Sequence, residues 1–476
     1  MPNYNVLSER YATAALNEIF SERGKTIAER ELWIAVMKAQ RALGVAIPAE
    51  DIARFEAAKA DVDLGRIREI ERKTKHDVKA KIEAFVQAAG AGEHLHRGMT
   101  SRDLTDNVEQ LQIRRAARLI LGKSVSVLRH FVRRADEYQD VLLTARTHHQ
   151  PAQPTLLGRR FAMWAEELLE QLLSFERFLA DYPLRGIKGP VGTQLDMLSL
   201  LGSPEKVEEL ERRVARELGF ARALGATGQV YPRSLDYALV SQLACLAAPS
   251  ENFAKGMRLM SGHELVTEGF QEGQVGSSAM PHKMNTRSSE RICGFAELLK
   301  MYADGASRLA GDQWEEGDVS CSVQRRVILP DAFYASDGLC ETVLTVLNGL
   351  GAYPAVIGRE NAKYLPFLAT TEMLTLAVKA GIGREAAHQA IKRHAVAEAL
   401  RLRRSGGDDN RLVELLAQEP VFRKAGITHE ALGALLADQA HFVGRAREQI
   451  AAVAAKAEAW IARYPADAAY EPAEIL

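Results

Sequence analysis

The sequence predicts an all-α protein of three helical domains, with a central bundle of about five long helices. Three observations lead there. Apolar residues recur at spacings of three and four over segments well beyond the mean globular helix of about 11–12 residues. No part of the chain reads as an alternating β-sheet domain. The 476 residues, 47% hydrophobic and 26% charged, provide ample apolar material for large cores, and length alone suggests about three domains.

A smaller helical region precedes residue 108 and defines a first domain, 1–108. Between Asn107 and Tyr138, Leu121, Val125, Leu128, Val132 and Ala135 fall on one helix face. Phe161, Ala165, Leu168, Leu172, Phe175 and Leu179 do the same in the next long segment. Segments near 232–268, 286–310 and 329–350 have similar length and character. Stripes of this kind must be buried against other helices, so 109–352 is expected to form the bundle. A third helical domain, 353–476, contains a polar turn at SGGDDN (405–410). Gly- and Pro-marked breaks fall at HLHRGMTSRD (94–103), HHQPAQPT (148–155), RGIKGPVGTQ (185–194), GQVGSSAMPHKMNT (273–286) and GLGAYPAVIG (349–358). Histidines, hydroxyls and lysine concentrate in these breaks, where loops carry function on a rigid scaffold.

Bulk composition removes several function classes. Lysine plus arginine (61) nearly balances aspartate plus glutamate (62), so no global field or basic stripe points to nucleic acid or an anionic membrane. The four cysteines include no C-x-x-C pair and fit idle thiols in a reducing compartment. The start, MPNYNVLSERYATAAL, lacks a basic stretch followed by an apolar core, and no 18-residue apolar run occurs, so a cytoplasmic protein without a membrane segment is expected. His263-Glu264 opens like a zinc-protease motif, but position 267 is Thr. There is no G-x-x-x-x-G-K-[ST] or strand-linked G-x-G-x-x-G, and Ser277 and Ser278 do not sit in G-x-S-x-G. Neither metal nor cofactor is expected.

Four polar segments remain. In KTKHDVKA (73–80), His76 stands among Lys75, Asp77 and Lys79, which by itself reads as a solvated surface. In HRGMTS, His96, Thr100 and Ser101 surround a glycine; Thr100 or Ser101 fits a helix N-cap, a place that also attracts anions. RTHHQPAQPT holds adjacent His148 and His149, whose side chains point in different directions, so at most one is expected to reach a shared site. The 273–286 loop offers Ser277, Ser278, Pro281 and Lys283, with Asn285 or Thr286 as a cap and Arg287, Glu290 and Arg291 following. Turn chemistry alone accounts for that loop about equally well.

Taken together, the segments resemble the fumarase/aspartase superfamily. GSSAMPHKMN matches its G-S-S-x-M-P-x-K-x-N loop, and H-R-G-M-T-S and T-H-H-Q-P-A-Q are similar to its other two shared segments, in the same order. Within it the adenylosuccinate lyase family is most similar, on Arg10-Tyr11, KHDV (75–78), TGQVYPR (227–233), SSERICG (288–294) and AYPAVIGRENAKYLPFLATTEML (352–374). The resemblance implies β-elimination of fumarate from a succinylated nucleotide, no cofactor, and a homotetramer whose sites are each built from three chains. Ser277 is implied as the base, held or made an alkoxide by backbone N–H groups, the following helix N-terminus and Lys283. Lys283 and Asn285 would stabilise the aci-carboxylate, charge that exists only on the way through. His148 is implied as the acid, and histidine titrates in a suitable range; His76 would position substrate or share the proton, and His149 would be structural. Arg10, Tyr11, Asp77, His96, Thr100, Ser101, Gln229, Arg291, Ser322 and Arg326 are implied as binding groups for a phosphate and two carboxylates. One departure stands out. Where many of these lyases carry W-x-E-R, this chain has QWEEGDVSCSVQRR (313–326), with Gly317 in the arginine's place, so Arg325 or Arg326 is expected to supply the charge. Argininosuccinate lyase, 3-carboxymuconate cycloisomerase and a non-catalytic relative are the competing readings.

Overall fold

Five long helices form the centre: Ser101–Glu137, Leu157–Asp181, Ser234–Gly262, Arg287–Ser307 and Ser322–Gly349. The computed structural model describes residues 5–269, 280 and 282–473. The expected stripes are the buried faces. Val125, Leu128, Phe161, Ala165, Leu172 and Phe175 are at 0% exposure, with Val132 and Leu179 at the edge of the same core. Ser234–Gly262 packs against both Leu157–Asp181 and Arg287–Ser307, while Ser101–Glu137 packs against Leu157–Asp181 and Ser322–Gly349. An aromatic knot ties three of them together, with ring centroids of Phe131–Phe253 at 5.2 Å and Trp164–Phe253 at 5.3 Å. Gly256 is what lets Trp164 in, because a Cβ there would stand 2.5 Å from the indole.

Ahead of the bundle, helix Glu22–Ala42 lies along Ser101–Glu137. The long helix runs unbroken through residue 108. Beyond the bundle, a separate apolar cluster gathers Met373, Ala377, Leu412, Leu416, Phe422 and Leu432. The chain then returns: helix Ala446–Arg463 packs on Leu157–Asp181 and Ser101–Glu137, and its Trp460 joins the main core. The polar turn at 405–410 follows helix Arg384–Ser405, closed by Gly406 at φ 70°.

The break at 148–155 is not an irregular loop. Strands Leu142–Thr147 and Gln150–Leu156 pair antiparallel, with Thr147 opposite Gln150. Neither strand alternates cleanly, and Pro151 and Pro154 argue against strand in the sequence. They are tolerated because a two-stranded ribbon leaves one side of each strand unpaired, where a missing N–H costs no ladder bond.

Candidate active site

The hairpin presents His148 and His149 as the two residues of its turn. Both have positive φ, 50° and 59°. A two-residue loop with both centres in that region is the turn whose twist matches the strands, and it normally selects Asn and Gly. Two histidines there are a local cost of about 1–3 kcal/mol each. The arms are firmly seated on helix Pro354–Leu368. Thr144 donates to Asn361 Oδ1 at 2.8 Å, Asn361 Nδ2 donates to the Leu142 carbonyl at 2.8 Å, and Arg146 pairs with Glu360. A register irregularity between Thr144 and Arg146 bends the ribbon below its tip. His149 lies against His263, with ring centroids at 5.6 Å, so the latter belongs to the hairpin's surroundings. Burial, and then Arg146, lower the His263 pKa from its ordinary value. The tip borders a cavity of about 660 Å³ lined by Arg146, His149, Gln150, His263, Lys363 and Tyr364.

A second group forms around the start of Ser101–Glu137. His76 is the N-cap of helix Asp77–Ala89, its Nδ1 accepting from the Lys79 N–H at 3.2 Å. Its proton therefore resides on Nε2, and the ring is exposed, as is Asp77 beside it. His96 is half-buried with φ 66°, and its Nδ1 accepts from the Trp33 indole at 3.1 Å, which again fixes the Nε2–H tautomer. Burial is the main cause lowering the His96 pKa; Asp103 opposes it and the nearby His76 adds to it. His76 and His96 thus share one neighbourhood. Thr100 caps the long helix, with its N–H donating to Asp103 Oδ2 at 2.8 Å. Fully buried Asp103 also receives Arg185 Nη1 at 2.6 Å and the Lys188 N–H at 2.8 Å, wrapping the 185–189 segment around this end. The capping pair is visible in T-S-R-D as a hydroxyl followed three residues later by an acid. Nothing in the sequence singles out Trp33.

Arg10, Tyr11 and Arg291 come together. Arg10 ends helix Val6–Arg10, and the Arg291 and Arg10 guanidinium carbons lie 5.3 Å and 5.9 Å from the Tyr11 ring centroid. Tyr11 packs edge-on to Phe295 at 5.1 Å, on the same helix as Arg291. Ser277 and its neighbours 270–279 lie outside the described residues, as does Pro281. Both flanks of that loop are pinned. Strand Val266–Thr267 pairs with Gly351–Ala352, and the Glu268 carboxylate accepts from the Ser288 N–H (2.9 Å), the Ser289 N–H (3.0 Å) and the Ser289 hydroxyl (2.9 Å). Downstream, the Lys283 N–H donates to the Met280 carbonyl at 3.0 Å and the Tyr353 hydroxyl meets Met284 Sδ at 3.4 Å. Thr286 occupies the N-cap position, without a side-chain cap bond, and the Glu268 carboxylate takes two N–H groups of the first turn of Arg287–Ser307.

Gln229 and Gly317 meet directly. The Gln229 N–H donates to the Glu316 carbonyl at 2.6 Å, and a Cβ on Gly317 would stand 3.2 Å from Gln229 Cβ. Gly317 has φ 150°, a conformation L side chains rarely adopt. An arginine in this backbone would be strained. Of the two proposed substitutes, Arg325 is spent: it is buried, bonded to Asp236 at 2.6 Å, Glu109 at 2.7 Å and the Tyr231 hydroxyl. Arg326 is exposed and borders a cavity of about 410 Å³ with Asn5, Ser8, Lys25, Glu109 and Asp331. Ser322 opens the same helix four residues earlier.

Within one chain, then, the expected residues fall into separate groups: His148 on the hairpin tip, His76 with His96 and Thr100, Arg10 with Tyr11 and Arg291, and Gln229 near Gly317. Among the described residues no hydrogen bond, ion pair or ring contact joins His148 to the His96 group or to Tyr11.

Residues 9–297 match the family model described as Lyase, and 366–453 the one described as Adenylosuccinate lyase C-terminus. The chain is 35% identical over 459 residues to an adenylosuccinate lyase of Saccharomyces cerevisiae, covering 94% of each, and 33% identical to one of Methanothermobacter thermautotrophicus, covering 83% of this chain and 88% of that one. Among solved structures, the 3-carboxy-cis,cis-muconate lactonizing enzyme of Pseudomonas putida has a TM-score of 0.79 at 21% identity, covering 96% of this chain and 100% of that one, and shows the shared fold. With the fold, the two family models and near full-length relatives in agreement, the chain belongs to the adenylosuccinate lyase family of the fumarase/aspartase superfamily.

Proposed function

We propose that the protein releases fumarate from adenylosuccinate to give AMP, and from the ribotide SAICAR to give AICAR, in purine biosynthesis in the cytoplasm. The observation that carries this reading is the near full-length match to adenylosuccinate lyases. The gathering of Arg10, Tyr11 and Arg291 supports it, as a basic and hydroxyl-bearing group suited to an anionic substrate. A C–H beside a carboxylate is a very weak acid, and removing its proton builds a second negative charge. Lys283 and Asn285 meet that charge, Ser277 takes the proton, and His148 delivers one to the leaving nitrogen. His76 and His96, each presenting Nε2–H, orient the substrate, with Asp77, Thr100 and Ser101 lining the same end. Gln229, Ser322 and Arg326 complete the anion contacts.

The separation of these groups within one chain supports a homotetramer with sites shared between subunits. So does the exposed apolar surface, which includes Val323 (75%), Trp314 (71%), Met301 (62%) and Val319 (60%). Among the described residues no helix is long and apolar enough to cross a membrane. The test is fumarate release by the wild type, by Ser277→Ala and by His148→Ala. Each variant should lose on the order of 10²–10⁴ in kcat while substrate binding is largely kept. Mixing the two variants under conditions of verified subunit exchange should restore part of the activity. A Ser277→Ala enzyme with wild-type kcat would remove the base assignment, and no recovery on mixing would remove the shared sites.

A further inference from the structure

Asp337 is fully buried in helix Ser322–Gly349 and has two partners. It pairs with the Lys123 ammonium, and Thr13 donates both its N–H (2.7 Å) and its hydroxyl (2.8 Å) to Oδ2. Lys123 is itself buried and also meets Glu341 Oε1 at 2.7 Å. One ammonium therefore faces two carboxylates in the core, an excess of negative charge that burial disfavours unless donors share it. Those donors come from the two ends of the chain. Thr13 serves Asp337, while the Tyr470 hydroxyl (2.6 Å) and the Ala473 N–H (2.9 Å) serve Glu341. The next residue, Gly338, bears on the same N-terminal segment. A Cβ there would lie 2.9 Å from Tyr11 Cβ and 2.9 Å from Phe295 Cζ, so only glycine leaves Tyr11 its place against Phe295. One turn of helix thus holds residues 11–13 twice, by hydrogen bonds at Thr13 and by direct contact at Tyr11.

A merely structural anchor would fasten the N-terminus and do nothing more. The position of this one argues for more: it meets the chain two residues beyond the tyrosine around which Arg10 and Arg291 gather. We propose that Asp337 is a positioning residue that acts through Thr13, with Gly338 against Tyr11, to hold Arg10 and Tyr11 where they meet the anionic part of the substrate. The inference rests on the functional reading above.

Thr13→Val keeps the shape and the backbone N–H and removes the hydroxyl, which donates to Asp337 and accepts from the Lys123 ammonium at 3.3 Å. KM for adenylosuccinate should rise about tenfold with kcat within about twofold, and backbone amides of residues 10–13 should exchange faster. Thr13→Ser keeps the hydroxyl and should restore the wild-type KM. Gly338→Ala, which presses on Tyr11 from the other side, should raise KM in the same way and serves if Thr13→Val folds poorly. Faster exchange or a lower Tm with KM unchanged in both variants would overturn the positioning role, and unchanged exchange would overturn the clamp itself. If the wild type cleaves neither succinylated nucleotide, the functional reading fails and the substrate role of Asp337 fails with it; exchange in Thr13→Val still decides the clamp.

Discussion

His148 and His149 share a turn in which each backbone has left the regions L-residues prefer, yet their expected roles differ. Asparagine enters that conformation more readily, so replacing either histidine with it should relieve strain. Both His148→Asn and His149→Asn are expected to gain about 1 kcal/mol of stability in urea unfolding, while only His148→Asn loses turnover. Lost turnover in His149→Asn with His148→Asn active would exchange the two assignments. Sequence could rank this pair only through the family resemblance, because spacing says that neighbours diverge and not which one reaches the substrate.

At the scale of elements, the 313–321 segment carries Gly317 in a backbone conformation that L side chains rarely adopt, leaning on Gln229. Gly317→Arg should cost about 1–3 kcal/mol of stability in denaturant unfolding, with no gain in substrate affinity; a stable variant with lower KM would show that the segment re-forms around the arginine. The five long helices were legible because their apolar stripes persist for many turns; their ends were less so, since the segment read as 329–350 begins at Ser322 and holds Pro330 inside the helix. The hairpin was not, since prolines and a broken alternation hide strands that pair only with each other. The Glu268 clamp was equally silent. A carboxylate that caps a helix from 20 residues away carries no local pattern, whereas Thr100 and Asp103, three residues apart, do. Arg325 and Arg326 looked interchangeable in sequence and differ only once burial assigns one to Asp236 and Glu109.

For the molecule as a whole, buried histidines set a pH dependence. Burial is the leading cause of a lowered pKa at both His96 and His130; at His130 the Ser126 carbonyl and Glu471 oppose it, while Arg133 and Arg129 add to it. Such groups take up protons less readily folded than unfolded, where histidine titrates near about 6.5. Stability is therefore complete above that pH and declines as pH falls through the depressed folded values. Urea midpoints measured across that range should drop on acidification, and His130→Gln should flatten the decline; an unchanged slope would place the acid sensitivity elsewhere. Among the described residues His148 makes no direct contact with Tyr11 or His96, which is why the proposed shared sites are tested by mixing variants.

The most direct test of the functional reading is fumarate release by the purified protein offered adenylosuccinate, SAICAR and argininosuccinate in parallel, with 3-carboxymuconate followed for lactone formation. Turnover of the first two alone is the predicted result, and it would show that Gly317 is compatible with the chemistry. Turnover of argininosuccinate or carboxymuconate instead, or silence on all four, would contradict it.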